Sequence, residues 1–440
     1  MMSCPYPGCD GGPATGSNTA SDSCTVCGRF VAPCHVCGGR NRALARFCRV
    51  CGRSLKANPE WPVYRHDPAF SAFAPAPLDF DSVPPASQFE RPWAEVSLGE
   101  EVVAPPILEH GLLIVCSRKG AFYVLNRFTG ERLVDVRLGE GDCFALAAGR
   151  TLLAAAGNRI VAYDLLSAFH NWTAGRFRLS ERWRKTLKAG PILYPLNRLA
   201  RADAETGLGS ILACTGGADA SLIHCLDIET GEERWPAPAA IPAAASAPAS
   251  DEDGNAYVVA ADHRVYRIAG DSGALMASEP AANPVRIDVA PGWLDSTLYF
   301  FDEEGALCAC RTDTGDGLTP SRVSELALLG VKGFATSPRG VLVSHGRGLT
   351  KLSLGGQLIW RADPSMGGMS SSPVLAGDCA FGVGQNRSVL YLCDFKGTFL
   401  RFHQFLLTED INLAPPAFAG RIIYTCSLRG DVSALRVNSA

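Results

Sequence analysis

The chain has 440 residues, 47% of them hydrophobic, with a formal net charge of −3 and a mean hydropathy of +0.07. This composition supports a large folded core, and no apolar run reaches the roughly 18 residues of a membrane-spanning helix, so a membrane protein is not expected. The first residues lack the basic and apolar regions of an export signal, so export is not expected either.

Residues 1–58 are a cysteine-rich head. Its eight cysteines form four short-spaced pairs: Cys4 with Cys9, Cys24 with Cys27, Cys34 with Cys37, and Cys48 with Cys51. Tetrahedral zinc takes four soft ligands, so two pairs make one closed site. Pairing neighbours predicts two structural Zn²⁺ ions, one bound by Cys4, Cys9, Cys24 and Cys27 and the other by Cys34, Cys37, Cys48 and Cys51. A cross-braced pairing, first pair with third and second with fourth, is the alternative. Clustered thiolates are typical of a reducing compartment, so we expect a cytoplasmic protein.

The second half of the head, CHVCGGRNRALARFCRVCGRSL, resembles the double zinc ribbon family. It has a Cys-x2-Cys-Gly pair, an Asn, a Phe just before the next Cys, and a second Cys-x2-Cys-Gly pair. The first half departs from this pattern through its four-residue spacer. The resemblance implies structural zinc that holds together a head too small to build its own core. Because cysteines fill every ligand position, a catalytic zinc is not expected.

The head is basic: it carries seven Lys or Arg and two Asp or Glu, a net charge of +5, which leaves −8 for the rest of the chain. Its arginines can contact phosphate or an acidic partner, or can be solvated charge on a small domain. They are Arg40, Arg42, Arg46, Arg49 and Arg53.

Residues 59–91 read as a linker, because their seven prolines break helices and favour a stiff, extended spacer. The same stretch contains six aromatic residues from Trp61 to Phe89, which is too many for a free tether. Part of the linker is therefore expected to lie against the next domain or a partner.

Residues 92–440 repeat a pattern of short apolar strands and tight turns about every 40 residues. Gly111–Arg132 shows the unit most clearly, with strands separated by turns at Gly120 and Gly130. Second strands are predicted to begin near Gly111, Arg150, Gly209, Gly254, Ser296, Gly340, Asp378 and Gly420. Tags of two small residues and a proline are predicted to open first strands at Pro106, Pro191, Pro248, Pro291, Pro338, Pro373 and Pro416.

These features resemble the PQQ-like β-propeller repeat family, whose units carry a Ser-Pro-Val strand, a Gly-x-Leu-Tyr-Ala-Leu-Asp strand and a Thr-Gly-x-x-x-Trp turn. The resemblance implies an all-β fold with an eight-bladed β-propeller over residues 92–440, preceded by the small zinc-ribbon domain. The last repeat ends at Ala440 after its third strand, and residues 92–98 (PWAEVSL) read as a missing fourth strand. We therefore predict that the two ends of the repeat region pair and close the ring.

One repeat is longer than the others, with an insertion at residues 166–208. It mixes aromatic and basic residues, which suits single-stranded nucleic acid or an acidic peptide. A lengthened outer strand with a solvated basic face is the simpler interpretation. The residues concerned are His170, Trp172, Arg176, Phe177, Arg178, Arg182, Trp183, Arg184, Lys185 and Lys188.

The resemblance also implies comparison with quinoprotein dehydrogenases, which carry a quinone, a calcium site and a disulfide between adjacent cysteines. This chain has no adjacent cysteines and no dense acidic cluster; Cys308 and Cys310 flank Ala309 and read as small core residues. We therefore expect no enzymatic activity, no catalytic residues and no cofactor other than two zinc ions.

The leading functional hypothesis is a cytoplasmic, non-catalytic scaffold. It would be monomeric on its own and would bind a protein partner through one propeller face and the zinc head. The alternative is a nucleic-acid-binding accessory protein, and a quinoprotein-type oxidoreductase ranks third. The sequence identifies neither the partner nor the propeller face that binds it.

Overall fold

A computed structural model describes residues 31–33, 40–42, 73–74 and 89–437, the last range with gaps at 103, 174–176, 189, 200–208, 218, 314–317, 362–366, 377–378, 386–388, 395–401, 407–413 and 420–421. The described residues form a β-propeller of antiparallel sheets, which confirms the predicted all-β fold. Within them, no helix is long and apolar enough to cross a membrane.

Among the described residues, five short strands precede the first blade. They are β1 (Val31–Pro33), β2 (Arg40–Arg42), β3 (Phe73–Ala74), β4 (Phe89–Glu90) and β5 (Val96–Ser97).

Seven blades follow in the part of the chain that the structure describes, each built from four consecutive strands. Blade 1 contains β6 (Ile107–Glu109), β7 (Leu112–Cys116), β8 (Ala121–Asn126) and β9 (Arg132–Arg137). Blade 2 contains β10 (Cys143–Ala148), β11 (Thr151–Ala156), β12 (Arg159–Asp164) and β13 (Ser180–Thr186), with helix α1 (Leu165–Thr173) between β12 and β13. Blade 3 contains β14 (Asn197–Arg198), β15 (Ser210–Gly216), β16 (Ser221–Asp227) and β17 (Ala239–Ile241). Blade 4 contains β18 (Ala249–Ser250), β19 (Ala256–Val259), β20 (Arg264–Ile268) and β21 (Leu275–Pro280).

The remaining blades keep the same order. Blade 5 contains β22 (Gly292–Leu294), β23 (Thr297–Phe301), β24 (Leu307–Arg311) and β25 (Thr319–Arg322). Blade 6 contains β26 (Gly333–Ser337), β27 (Gly340–His345), β28 (Gly348–Leu352) and β29 (Leu358–Arg361). Blade 7 contains β30 (Val374–Ala376), β31 (Cys379–Val383), β32 (Val389–Asp394) and β33 (Phe402–Leu406).

The C-terminal strands β34 (Ala417–Ala419), β35 (Ile422–Cys426) and β36 (Asp431–Val437) form a composite sheet. Continuous blades thus number seven rather than the predicted eight, because the last repeat supplies only three strands of its own. N-terminal strands complete this sheet: β4 and β5 both pair with β36, in the registers Phe89↔Val437 and Ser97↔Asp431. The predicted pairing of the two ends is therefore confirmed, and pairing at both ends of β36 covers its otherwise open edge.

The first strand of each blade lies nearest the axis, since first strands of neighbouring sheets contact one another, as β26 does with β22 and β30, and β34 with β6. Fourth strands such as β9 are partly exposed. Because successive strands alternate in direction, turns between first and second strands and between third and fourth strands share one face, here called the A–B face. Turns between second and third strands, and the connections to the next blade, share the opposite D–A face.

The predicted second and third strands of every repeat are confirmed. One proline tag is wrong: Pro338 follows the first strand of blade 6, because Gly333–Ser337 already form that strand. A buried apolar cluster continues from blade 7 through the composite sheet to blade 1, with Phe381, Tyr424 and Leu108 among its members. The core thus joins the two ends of the repeat region as the strand pairing does.

Candidate functional site

The predicted zinc ligands, Cys4, Cys9, Cys24, Cys27, Cys34, Cys37, Cys48 and Cys51, lie outside the described residues. Within the described part of the chain, no group of three or more His, Cys, Asp or Glu side chains could hold a metal ion. The two-zinc head therefore stays a prediction.

One described feature of the head bears on that prediction. Strands β1 and β2 pair antiparallel, with Pro33 opposite Arg40 and Val31 opposite Arg42. The chain between these strands is residues 34–39, CHVCGG, which contains the third cysteine pair. The third cysteine pair of the sequence therefore lies between two paired strands.

The insertion after β12 begins with a capped helix. Asp164 Oδ1 accepts hydrogen bonds from the backbone N–H groups of Leu166 (2.9 Å) and Ser167 (3.3 Å), as an N-cap does. Partial burial opposes ionisation of Asp164, but its hydrogen bonds with Ser167 and Leu166 lower the carboxyl pKa below its usual range. The helix buries Phe169 and Trp172, and the Trp172 ring lies 5.5 Å from that of Phe177. These rings pack on one another and on the core rather than forming a platform for bases.

The basic residues of the outer strand β13 are paired with acidic neighbours. Arg182 contacts Glu229 of blade 3, Arg184 Nη2 lies 2.6 Å from Glu181 Oε2, and Lys185 Nζ lies 3.9 Å from Glu233 Oε1. Local carboxylates thus offset much of the positive charge that suggested nucleic-acid binding. The described part of the insertion favours the simpler interpretation, a lengthened outer strand that is joined to the next blade.

A hydroxyl, imidazole and carboxylate lie in line in blade 3, an arrangement that no sequence motif indicates. Thr215 Oγ1 is 3.1 Å from His224 Nε2, and His224 Nδ1 is 2.9 Å from Glu233 Oε1. Such a series can activate a nucleophile where the hydroxyl meets substrate. Here Thr215 has 0% exposure, so no substrate can reach it. The network instead satisfies polar groups inside the blade.

Buried charge also lies at the A–B ends of the first strands of blades 1 and 3. His110 Nε2 is 2.8 Å from Glu109 Oε1, and both side chains are largely buried. Burial lowers the pKa of Arg198, and the nearby Glu109 carboxylate acts in the opposite direction. The Glu109 carboxylate of blade 1 thus interacts electrostatically with the Arg198 guanidinium of blade 3.

A small pocket lies beside the first strands of blades 1 and 2. This pocket of about 10 Å³ is lined by Ala104, Pro105, Ile107, Phe144, Ala145 and Pro195. This volume holds about one water molecule and is far too small for a quinone. Several of its lining residues are alanines and prolines, whose small side chains let the first strands converge.

An open groove lies on the A–B face of blade 4. This groove has a volume of about 510 Å³ and is lined by Glu252, Asp253, Asn255, Arg267, Ala269, Gly270, Asp271 and Met276. Its three carboxylates are exposed, and Met276 is 53% exposed beside them. An exposed apolar side chain beside several charges of one sign is a feature of protein-contact surfaces. The sequence signal that could have found it is the acidic turn Asp251-Glu252-Asp253-Gly254.

Eight cysteines of the described propeller are buried and form no disulfide: Cys116, Cys143, Cys214, Cys225, Cys308, Cys310, Cys379 and Cys426. Burial raises the pKa of Cys308 to about 12 and that of Cys310 to about 11. Both lie on β24, as the prediction of small core residues requires, and a protonated buried thiol is neither a nucleophile nor a metal ligand.

Comparisons with known proteins agree with this architecture. Residues 180–396 match the sequence model of a PQQ-repeat family described as "Outer membrane protein assembly factor BamB". No curated protein matches the chain significantly. Among solved structures, BamB from Moraxella catarrhalis is similar with a TM-score of 0.58 and 17% identity, covering 79% of this chain and 97% of BamB.

Two further solved structures share the fold at lower identity. Saccharomyces cerevisiae Sqt1 has a TM-score of 0.60 and 9% identity, covering 78% of this chain and 98% of Sqt1. The quinohemoprotein alcohol dehydrogenase ADHIIG from Pseudomonas putida HK5 has a TM-score of 0.61 and 9% identity, covering 87% of this chain and 81% of the enzyme. At these identities the likeness concerns the fold alone. The chain therefore carries PQQ-type repeats at residues 180–396 and has the fold of a PQQ-type β-propeller.

Proposed function

We propose that this chain is a non-catalytic scaffold that binds a protein partner through its propeller and a two-zinc head. The observation that carries the proposal is the open groove of about 510 Å³ on blade 4, where three exposed carboxylates lie beside the exposed Met276. Protein recognition uses an open surface with exposed apolar and charged groups.

The comparisons support a binding role without deciding it. The matched family is described as an assembly factor, which is a binding function, while a dehydrogenase shares the same fold. A saturable thermal shift with PQQ and calcium would contradict the non-catalytic proposal. Buried cysteines that form no disulfide, among those that the structure describes, suit the cytoplasmic location that we propose.

Two structural parts of the proposal extend the described fold. We infer that the composite sheet acts as an eighth blade, supported by its apolar cluster shared with blades 7 and 1. We also infer that residues 1–58 bind two structural Zn²⁺ ions, supported by the hairpin that brackets Cys34 and Cys37. Metal binding would supply the folding free energy that so small a head lacks.

Charge variants of the groove test the proposal. The partner would be identified by chemical cross-linking to the full chain in native cytoplasm, and its affinity then measured with purified proteins. The groove variant is Glu252→Gln, Asp253→Asn and Asp271→Asn. The matched control removes three exposed carboxylates from the D–A face instead, through Glu140→Gln, Asp219→Asn and Glu303→Gln. We expect at least tenfold weaker binding for the groove variant only, and equal effects of the two triple variants would contradict the assignment.

Nucleic-acid binding remains the alternative function, resting on the arginines of the head and insertion. It predicts affinity for a short oligonucleotide that falls by orders of magnitude between low and moderate salt. Because Arg182 and Arg184 are ion-paired, the scaffold proposal expects no such binding by residues 89–440.

A further inference from the structure

The linker contributes a strand to the inside of the ring. β3 pairs with β30 in parallel, in the registers Phe73↔Leu375 and Ala74↔Ala376. The sheet order is β3-β30-β31-β32-β33, so β3 lies on the axial side of the first strand of blade 7. It also contacts β26, the first strand of blade 6. A fifth strand at this position lies in the axial channel, between the first strands of the ring.

The direction of β3 shows which way the chain runs. First strands run from the D–A face to the A–B face, because each begins after a connection from the preceding blade and ends at an A–B turn. A strand parallel to β30 runs the same way. β3 therefore has Phe73 towards the D–A face and Ala74 towards the A–B face.

The next described strand agrees with this path. β4 begins with Phe89 opposite Val437, at the A–B end of β36, and β5 follows opposite Asp431 at the D–A end. The chain therefore reaches the composite sheet on the face where β3 ends. Residues 75–88 span up to about 45 Å when extended, which is enough to cross from the axis to the rim of the ring.

We propose that the linker threads the axial channel from the D–A face to the A–B face, so that the head, residues 1–58, is presented on the D–A face. The groove on blade 4 then faces the opposite side. If the scaffold function proposed above holds, the propeller bridges two partner surfaces, one met by the head and one met by the groove. The threading itself does not depend on that function.

The first test joins the strand to the channel wall. Ala74→Cys with Ala376→Cys places two thiols at register partners, whose Cα separation across a ladder suits a disulfide. Under mild oxidation of the folded full chain, we expect a disulfide between these positions, identified by peptide mass spectrometry. The control, Ala74→Cys with Ala148→Cys, uses the equivalent end of the first strand of blade 2 and should give none. A folded protein with no 74–376 disulfide, or with equal yields in both variants, would overturn the threading.

The second test asks which face carries the head, without any partner. Lys56 is the only lysine in residues 1–58. Exposed lysines on the D–A face are Lys119, Lys188 and Lys332. A variant with Glu131→Lys, Ser272→Lys and Arg339→Lys adds three on the A–B face as matched reporters. With a short amine cross-linker on the full chain, we expect Lys56 to cross-link to Lys119, Lys188 and Lys332 at least tenfold more often than to the three introduced lysines. Equal or reversed frequencies would refute placement of the head on the D–A face, while leaving the groove and its partner untouched.

Discussion

The indole of Trp183, on the outer strand of blade 2, lies over Gly231 in a turn of blade 3 and leaves no space there for a Cβ atom. A Cβ built on Gly231 would lie 2.6 Å from the indole Cε3, and the indole Nε1 donates a 3.0 Å hydrogen bond to the Ile228 carbonyl. The same contact recurs between Trp93 and Gly130 and between Trp235 and Gly273. The repeated turn, Thr-Gly in two blades and Ser-Gly in the third, is thus a docking position for the tryptophan of the preceding sheet.

Gly231→Ala should therefore destabilise the propeller. The residue has φ of +74°, which disfavours any side chain, and the new methyl group would collide with Trp183. Strain and overpacking together predict a loss of about 2–4 kcal/mol in the free energy of unfolding. The control is Gly139→Ala, where nothing lies within 4 Å of the position that the new methyl carbon would take. Urea unfolding should separate the two variants clearly, and similar midpoints would argue against docking as a source of stability.

His345 should make stability depend on pH. Its Nδ1 accepts the Arg347 backbone N–H at 3.2 Å and its Nε2 is 2.8 Å from Thr350 Oγ1, so the neutral imidazole is the form that the fold holds. Burial, with help from Arg361 and Arg347, lowers its pKa to about 4 from an ordinary 6.5. Since the unfolded chain takes up the proton first, stability is lost as pH falls from 6.5 towards 4, by up to about 3 kcal/mol.

The measurement for His345 is urea unfolding at several pH values between 7 and 4. His345→Gln should show a shallower decline than the unaltered protein, whereas the exposed His263→Asn should not. Identical slopes for all three proteins would show that other groups cause the pH dependence.

Metal analysis should find two zinc ions per chain with thiolate ligands. Changing Cys48 and Cys51 to Ser should remove one ion and unfold part or all of the head, because its folding is coupled to metal binding. The matched control, Cys308→Ala with Cys310→Ala, alters two buried thiols of the propeller and should leave the zinc count at two. One zinc ion in the unaltered protein would exclude Cys4 and Cys9 from the assigned sites.

Stepwise N-terminal deletions should show which N-terminal segments stabilise the propeller. Removing residues 1–58 should leave the propeller stability almost unchanged. Removing residues 1–88 deletes β3 and should have a modest cost, since β4 and β5 remain paired with β36. Removing residues 1–98 also deletes Trp93, whose Nε1 donates to the Arg127 carbonyl of blade 1 at 3.0 Å. That deletion opens a sheet edge and should lower cooperativity and solubility. If the last two deletions unfold alike, β4 and β5 do not close the ring.

The second and third strands of the repeats could be predicted from sequence because their apolar periodicity and glycine turns are local properties of the chain. The fourth strand at residues 92–98 could also be predicted, because the last repeat ends after its third strand and leaves that strand with an unpaired edge. The prediction at Pro338 was wrong because a proline beside small residues fits both a turn and the start of a strand, and only strand pairing separates the two.

The contacts of the charged and aromatic residues could be read only from the tertiary structure. Arg182 reads as free positive charge in sequence, but Glu229, which neutralises it, lies 47 positions further along the chain. Asp253 and Asp271 line the same groove from two different turns. β3 pairs with β30, which lies about 300 residues further along the chain. Local patterns set each blade, whereas the ring determines which distant residues become neighbours, because closure brings together segments whose sequence separation carries no periodic signal.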